Sequence, residues 1–334
     1  MVTWLTGHLP CLLAAIRGTL LRMGWTANDI PDLHGRTAIV TGANSGIGFH
    51  TALQLAKHGA LVVLGCRDPH RGAAALARLE AASVSAQLLA LDLGHLDSVR
   101  TFARHIAADH PRVDILVNNA GLMAIPYQHT ADGFEMQLGV NHLGHFALTG
   151  LLLPQLLEAP EPRVVTVSST AHRTGVMRFD DLQGEKRYRR WQAYGQSKLA
   201  NLLFAYELDR RARTAQLPLT SVAAHPGYAA TDLQTKGAKM AGRPLTETVM
   251  RLGNALLAQS DAAGALPSLY AAAAPGVRGG EFYGPGQLFE SRGAPKRVSS
   301  SKASHDEVAA RRLWDISEEL TGVRYEALRA GSPA

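Results

Sequence analysis

The chain has 334 residues, 46% of them hydrophobic and 19% charged, with a formal charge of +6. That is ordinary globular composition, with length for one large α/β core or two small ones. Two cysteines, Cys11 and Cys66, exclude a disulfide framework and a cysteine zinc site, and the scattered arginines form no concentrated basic tail.

Residues 1–22 are apolar and carry Arg17 and Arg22 but no acid. Their uninterrupted apolar run, Cys11 to Ile16, is too short to span a bilayer. It fits a signal-like segment, an amphipathic helix lying on a membrane, or a helix packed on the domain. We expect an N-terminal extension dispensable for the fold, with Met23 as a candidate alternative start.

From Arg36 onward short apolar runs alternate with helical patterns. Strands are predicted at 37–40, 61–64, 87–91, 114–117, 164–167, 221–224 and 281–283. Helices are predicted at 47–58, 70–82, 96–109, 133–157 and 192–213, with a broken set between 231 and 274. The strands are continuous apolar runs, as expected when helices cover both faces of a sheet. The order predicts a single α/β domain over 23–298: a doubly wound, Rossmann-type parallel sheet of about seven strands flanked by helices. A polar C-terminal segment, 299–334, follows, with a helical pattern over 305–320 that either caps the fold or meets a partner subunit.

The first strand runs into a glycine-rich turn, T-G-x-x-x-G-x-G from Thr41 to Gly48, and then a helix. Gly42 turns the chain off the strand, Gly46 bares the backbone to a pyrophosphate, and Gly48 lets helix and strand pack closely. The helix N-terminus offers N–H groups to phosphate. Arg67 lies 19 residues after Gly48, and a dinucleotide site reads the adenosine ribose about 20 residues after the glycines. There an acid would favour a free 2′-hydroxyl and an arginine a 2′-phosphate. Cys66 takes the acid's position and Arg67 the next, which points to NADP(H) over NAD(H). Asp68 is either the cap of the following helix, ahead of Pro69, or itself the ribose acid.

Asp92 and Leu93, after the third strand, stand where an adenine edge could be reached. Asn118-Asn119-Ala120-Gly121 closes the fourth strand; Asn119 suits a place beside the cofactor and a role tying strands together. The fifth strand ends in Ser168-Ser169. Tyr194 and Lys198 share a helix face at i, i+4, and a cation near a phenol lowers its pKa. Tyr188 is a decoy, with Gln192 and not a cation four residues on. The basic run Lys186–Trp191, interleaved with aromatics, could contact anionic lipid or nucleic acid, but a solvated helix start is the favoured reading and no nucleic-acid partner is expected. His142, His145, His172 and His225 lack metal-ligand spacing, so no metal site is expected.

Taken together, T-G-x-x-x-G-x-G, N-N-A-G, a strand-end Ser and Y-x-x-x-K resemble the short-chain dehydrogenase/reductase family, over roughly Arg36 to Tyr283. The segments CRD (Cys66–Asp68), NHLGHF (Asn141–Phe146), VSSTAHR (Val167–Arg173) and LQGEKRY (Leu182–Tyr188) are most similar to its retinol-dehydrogenase-like branch, which includes the WW-domain oxidoreductases. The resemblance implies an enzyme acting on CH–OH donors with NADP as acceptor, interconverting a carbonyl and an alcohol on a small lipophilic substrate. It implies Asn141, Ser169, Tyr194 and Lys198 as catalytic residues, with Ser168 facing the core. Tyr194 would exchange the proton, Lys198 lower its pKa and hold the nicotinamide ribose, Ser169 bind the carbonyl oxygen, and Asn141 anchor a proton-relaying water. Cofactor contacts would be Gly42, Asn44, Ser45, Gly46, Ile47, Gly48, Arg67, Asp92, Leu93, Asn119, Ala120, Gly121, Tyr194, Lys198, Pro226, Gly227 and Thr231.

Ser169 and Tyr194 are 25 positions apart, about twice the family's usual spacing, so 174–190 reads as an insertion at the active-site rim. A substrate lid is expected over about 229–257, with Met123, Tyr127, Met177 and Tyr228 bordering the pocket. A cytoplasmic protein with peripheral membrane contact through residues 1–22 is expected, and homo-oligomers are common in the family. Rival readings are a non-catalytic NADP(H)-binding scaffold or redox sensor on the same fold, a light-dependent protochlorophyllide reductase, and a nucleotide-sugar epimerase.

Overall fold

The computed structural model describes residues 24–227 and 260–329. The N-terminal extension, Thr231, Tyr228 and the lid at 229–257 lie outside the described residues.

Six parallel strands follow the apolar runs closely: β1 (Thr37–Thr41), β2 (Leu61–Cys66), β3 (Ala86–Ala90), β4 (Ile115–Asn118), β5 (Arg163–Val167) and β6 (Thr220–Ala224). Then come β7 (Phe282–Gln287) and β8 (Arg292–Arg297), and the sheet order is β3-β2-β1-β4-β5-β6-β7-β8. All neighbours are parallel except β7 and β8, which form an antiparallel hairpin. The sheet thus has one strand more than expected. β8 reads RGAPKR; it has no apolar run because it is an edge strand, and its Pro295 and basic residues discourage further pairing. β1 pairs with β2 on one side and β4 on the other, so the strand order reverses beside it. Such a reversal opens a crevice at the carboxyl ends of the strands.

The helices are α1 (Gly46–Lys57), α2 (Pro69–Glu80), α3 (Leu96–Asp109), α4 (Gly144–Leu151), α5 (Leu153–Leu157), α6 (Arg190–Thr214), α7 (Asp261–Ala273) and α8 (Glu307–Thr321). Side chains alternate across the sheet. Ala38 and Val40 join one core with residues of α1, α2 and α7, and Ile39 and Val63 join the other with Phe102, Phe146, Phe204 and Trp314. That is why the strands read as unbroken apolar runs. Trp314 of α8 stacks on Phe204, and Tyr325 donates to the Phe146 carbonyl (2.6 Å).

The single helix expected over 133–157 is broken. One turn, Met136–Leu138, passes into a π turn, Gly139–Leu143, before α4; Pro154 stands at the start of α5. A π turn inserts an extra residue per turn and often marks a functional position. Asn141 is in it.

Candidate active site

A cleft of about 510 Å³ lies across the carboxyl ends of β1, β2, β4 and β5. At one end the chain leaves β1 through Gly42–Ser45 into α1. Gly46 has φ +58°, a conformation L side chains rarely adopt, and a Cβ on Gly48 would fall 2.5 Å from both Asn119 Nδ2 and the Gly42 carbonyl oxygen. Ser45 precedes α1 without capping it through its side chain, so the first-turn N–H groups remain available to an anion at the cleft floor. Asn119 Nδ2 donates to the Thr41 carbonyl (2.8 Å), and Thr41 Oγ1 accepts from the amides of Asn119 and Ala120 (2.9 Å each). Asn119 therefore bolts β1 to β4 while lining the cleft.

Arg67 is exposed at this end. Beside it is Arg71, which sequence reasoning missed: its Nη2 donates to Ser45 Oγ (3.2 Å). The available signal was its place four residues after Arg67, in the first turn of α2. Asp68 caps α2, its carboxylate accepting from the Arg71 amide (3.1 Å), and that bond holds the carboxyl below its ordinary range. Cys66 is buried, which pushes its thiol up to about 11.

At the other end the side chains are buried. Ser168 Oγ donates to the Lys198 carbonyl (2.7 Å). Ser169 Oγ accepts from the Ala171 amide (3.2 Å) and shares a hydrogen bond with the Tyr194 phenol. Lys198 Nζ donates to the Val167 carbonyl (3.1 Å), and burial draws the ammonium from 10.5 down to about 8. Burial likewise raises the Tyr194 phenol, with the Ser169 hydrogen bond working against it. Lys198 Nζ lies 5.8 Å from the centroid of the Tyr194 ring, on the same face of α6.

Asn141 lies behind the cleft wall. Its Nδ2 donates to the Leu122 carbonyl and to Ser197 Oγ (2.9 Å each), and its Oδ1 accepts from the Leu122 amide (2.7 Å). A Cβ on Gly121 would meet Asn141 Oδ1 at 3.1 Å and Lys198 Nζ at 3.4 Å. The bare backbone there leaves room beside the ammonium. The open first turn of α1, the glycine cradle, the two arginines and the buried Tyr–Lys pair together fit a nicotinamide dinucleotide.

Ser169, Tyr194, Lys198 and every expected cofactor contact among the described residues line this one cleft. Met123 lines it too, and so does Trp191, a second omission, which is 51% exposed with its ring centroid 6.2 Å from that of Tyr194. Tyr127 and Met177 go elsewhere. Tyr127 packs on Tyr188, and Met177 on the core around Leu138 and Leu199. Tyr188 donates to the Ile125 carbonyl (2.9 Å) and accepts from Gln137 Nε2 (2.8 Å), so the decoy tyrosine is a tie for the insertion. The insertion wraps around Asp181, which accepts from the amides of Lys186 and Arg187 and from Arg178.

The histidines are buried ties. His145 bonds Thr41 Oγ1 (2.8 Å) and His142 bonds Ser317 Oγ (2.9 Å). His172 bonds the Ser169 carbonyl (2.6 Å) and the Ser301 amide (3.1 Å). Among the described residues no group of three or more His, Cys, Asp or Glu could hold a metal ion, and no helix is long and apolar enough to cross a membrane.

A reversed strand order with a phosphate-ready helix end and a proton-bearing phenol over one crevice is the scaffold of a nicotinamide-dependent oxidoreductase. The chain belongs to the short-chain dehydrogenase/reductase family: the short chain dehydrogenase family matches residues 36–241. It falls in the retinol-dehydrogenase-like branch, being 40% identical to retinol dehydrogenase 12 of Mus musculus over 294 residues, 87% of this chain and 88% of that one. Among solved structures it is similar to an uncharacterized protein from Mycobacterium Paratuberculosis, with 44% identity, TM-score 0.75, and coverage of 90% of this chain and 99% of that one. A short chain dehydrogenase from Shigella flexneri, solved in complex with NADP, is 25% identical with TM-score 0.57, covering 75% of this chain and 97% of that one.

Proposed function

We propose that this protein is an NADP(H)-dependent oxidoreductase that interconverts a carbonyl and an alcohol on a small lipophilic substrate. The observation that carries the reading is the meeting of Ser169, Tyr194 and Lys198 at one end of a cleft whose other end presents Arg67 and Arg71. The cofactor, when bound, supplies the hydride chemistry. Gly42 to Gly48 and the first turn of α1 hold its pyrophosphate, Asp92 and Leu93 border the adenine, and Arg67 with Arg71 favours a 2′-phosphate over a free hydroxyl. NADP in the Shigella flexneri relative supports that choice.

Tyr194 donates its proton to the substrate oxygen in reduction and accepts one in oxidation. Ser169 donates a hydrogen bond to the same oxygen as negative charge builds there. Lys198 holds the nicotinamide ribose with its buried ammonium. Asn141 fixes Leu122 and Ser197, which keeps the cleft wall and α6 in register. Met123 and Trp191 give the mouth an apolar border, in keeping with relatives named for retinol. A cytoplasmic location with residues 1–22 on a membrane surface completes the proposal.

The test is NADPH consumption with medium- and long-chain aldehydes, retinal and steroid ketones, with NADH in parallel. The reading expects turnover of at least one apolar carbonyl, faster with NADPH at equal concentration. Tight NADPH binding without turnover across the panel would favour a non-catalytic scaffold, and a preference for NADH would overturn the cofactor assignment.

A further inference from the structure

We infer that Glu290, at the tip of the β7–β8 hairpin, is a positioning residue that sets the Pro226–Gly227 turn through His225. The inference rests on the proposed function, in which that turn borders the nicotinamide end of the cofactor.

The geometry begins with a tautomer. The Gly227 amide can only donate, and it donates to His225 Nδ1 (3.1 Å). Nδ1 is therefore the bare nitrogen, and Nε2 carries the hydrogen. Nε2 lies 3.1 Å from Glu290 Oε2, so the imidazole donates to the carboxylate. Carboxylate, imidazole and backbone amide form one chain of bonds ending at Gly227. The imidazole is fully buried and is seated against Gly284, where a Cβ would fall 2.0 Å from Nε2. It has no room to turn.

The hairpin tip is shaped for this contact. Leu288, Phe289 and Glu290 all have positive φ (47°, 54° and 64°), although none is glycine. Each such residue costs on the order of 1 kcal/mol or more, and a run of three persists only where surrounding contacts hold it. Phe289 is wholly exposed and contributes no burial in return. Ser291 closes the tip turn, its amide and hydroxyl donating to the Gln287 and Leu288 carbonyls, and Glu290 ties the tip to the rest of the fold: besides His225, its carboxylate accepts from Arg173 Nη2 (3.1 and 3.3 Å). Arg173 is in the turn that follows Ser169. The two partners keep the carboxyl of Glu290 below its ordinary range. Gly227 fits the same design, since a Cβ there would meet the Ser291 carbonyl at 2.5 Å and that of Glu290 at 2.9 Å. Glu290 thus braces the nicotinamide-side turn and the Ser169 turn against one hairpin. A side-chain brace of this kind sets the position of backbone that the cofactor touches, without touching the cofactor itself.

The test compares NADPH with adenosine 2′,5′-bisphosphate, which carries the adenosine half but no nicotinamide, on the full chain by calorimetry. Glu290→Ala is expected to weaken NADPH about tenfold, the scale of one charge-assisted hydrogen bond, and to leave the bisphosphate unchanged. Glu290→Gln keeps an acceptor for His225 and is expected to recover part of the loss. A wild type that binds neither compound overturns the cofactor reading and the brace with it. A wild type that binds both overturns the brace alone if Glu290→Ala weakens neither compound or weakens both alike, or if Glu290→Gln is no better than alanine.

Discussion

The two ends of the cleft are made of different materials. The glycine end is backbone: bare Cα atoms, an uncapped helix turn and two arginines reaching in from α2 and the loop before it. The Tyr194 end is buried side chain: Ser168, Tyr194, Lys198, Asn141, His145, His172 and His225 are all nearly inaccessible. Backbone amides bind an anion without titrating, so the glycine end serves binding at any ordinary pH. Buried phenol and ammonium have their proton affinities moved by burial, so the Tyr194 end is where proton transfer can be tuned. The comparison teaches that binding and chemistry are separable here.

Substitutions that strike one end should spare the other. The largest effect is expected from Tyr194→Phe: turnover falls by about 10²–10⁴-fold, the usual contribution of a general acid–base group. Removing the cations comes next. Arg67→Ala and Arg71→Ala should each weaken NADPH by roughly tenfold or more while changing NADH little, since a charge-assisted bond to the 2′-phosphate is what they lose. Equal losses for both cofactors, read by fluorescence titration, would show that neither arginine reads the phosphate. Gly48→Ala should cost about 1–3 kcal/mol of stability, because its Cβ would collide with backbone and with the amide that bolts β1 to β4. Denaturant titration measures this, and an unchanged midpoint would contradict the packing.

A further effect is acidic. Burial draws His145 and His172 from 6.5 down to about 4, and His142 to about 3. The unfolded chain takes up these protons below about pH 6.5 while the folded chain does not. Stability therefore falls as pH drops from 6.5 toward 4. Thermal melts at about pH 7.5, 6 and 5 should show a steady decline, and a flat Tm would contradict it.

The same division governs what was legible beforehand. β1 to β6, Gly42 to Gly48 and the Tyr194–Lys198 spacing are local patterns, so residues near in sequence announce them. β8 is an edge strand without an apolar run, and only its pairing with β7 defines it. Arg71 enters the cleft because Asp68 caps α2 and turns that helix's first residues toward Ser45. The broken helix at 136–157 came from a π turn that leaves no compositional mark. His225 and Glu290 are 65 residues apart, and no spacing rule joins them. Met177 and Tyr127 looked like pocket residues by type, but apolar side chains serve the core as readily as a substrate.

The most direct test of separable ends is Tyr194→Phe with NADPH affinity and turnover measured on one preparation. The account predicts near wild-type affinity with turnover all but lost. Near wild-type turnover, or affinity lost along with it, would contradict the division.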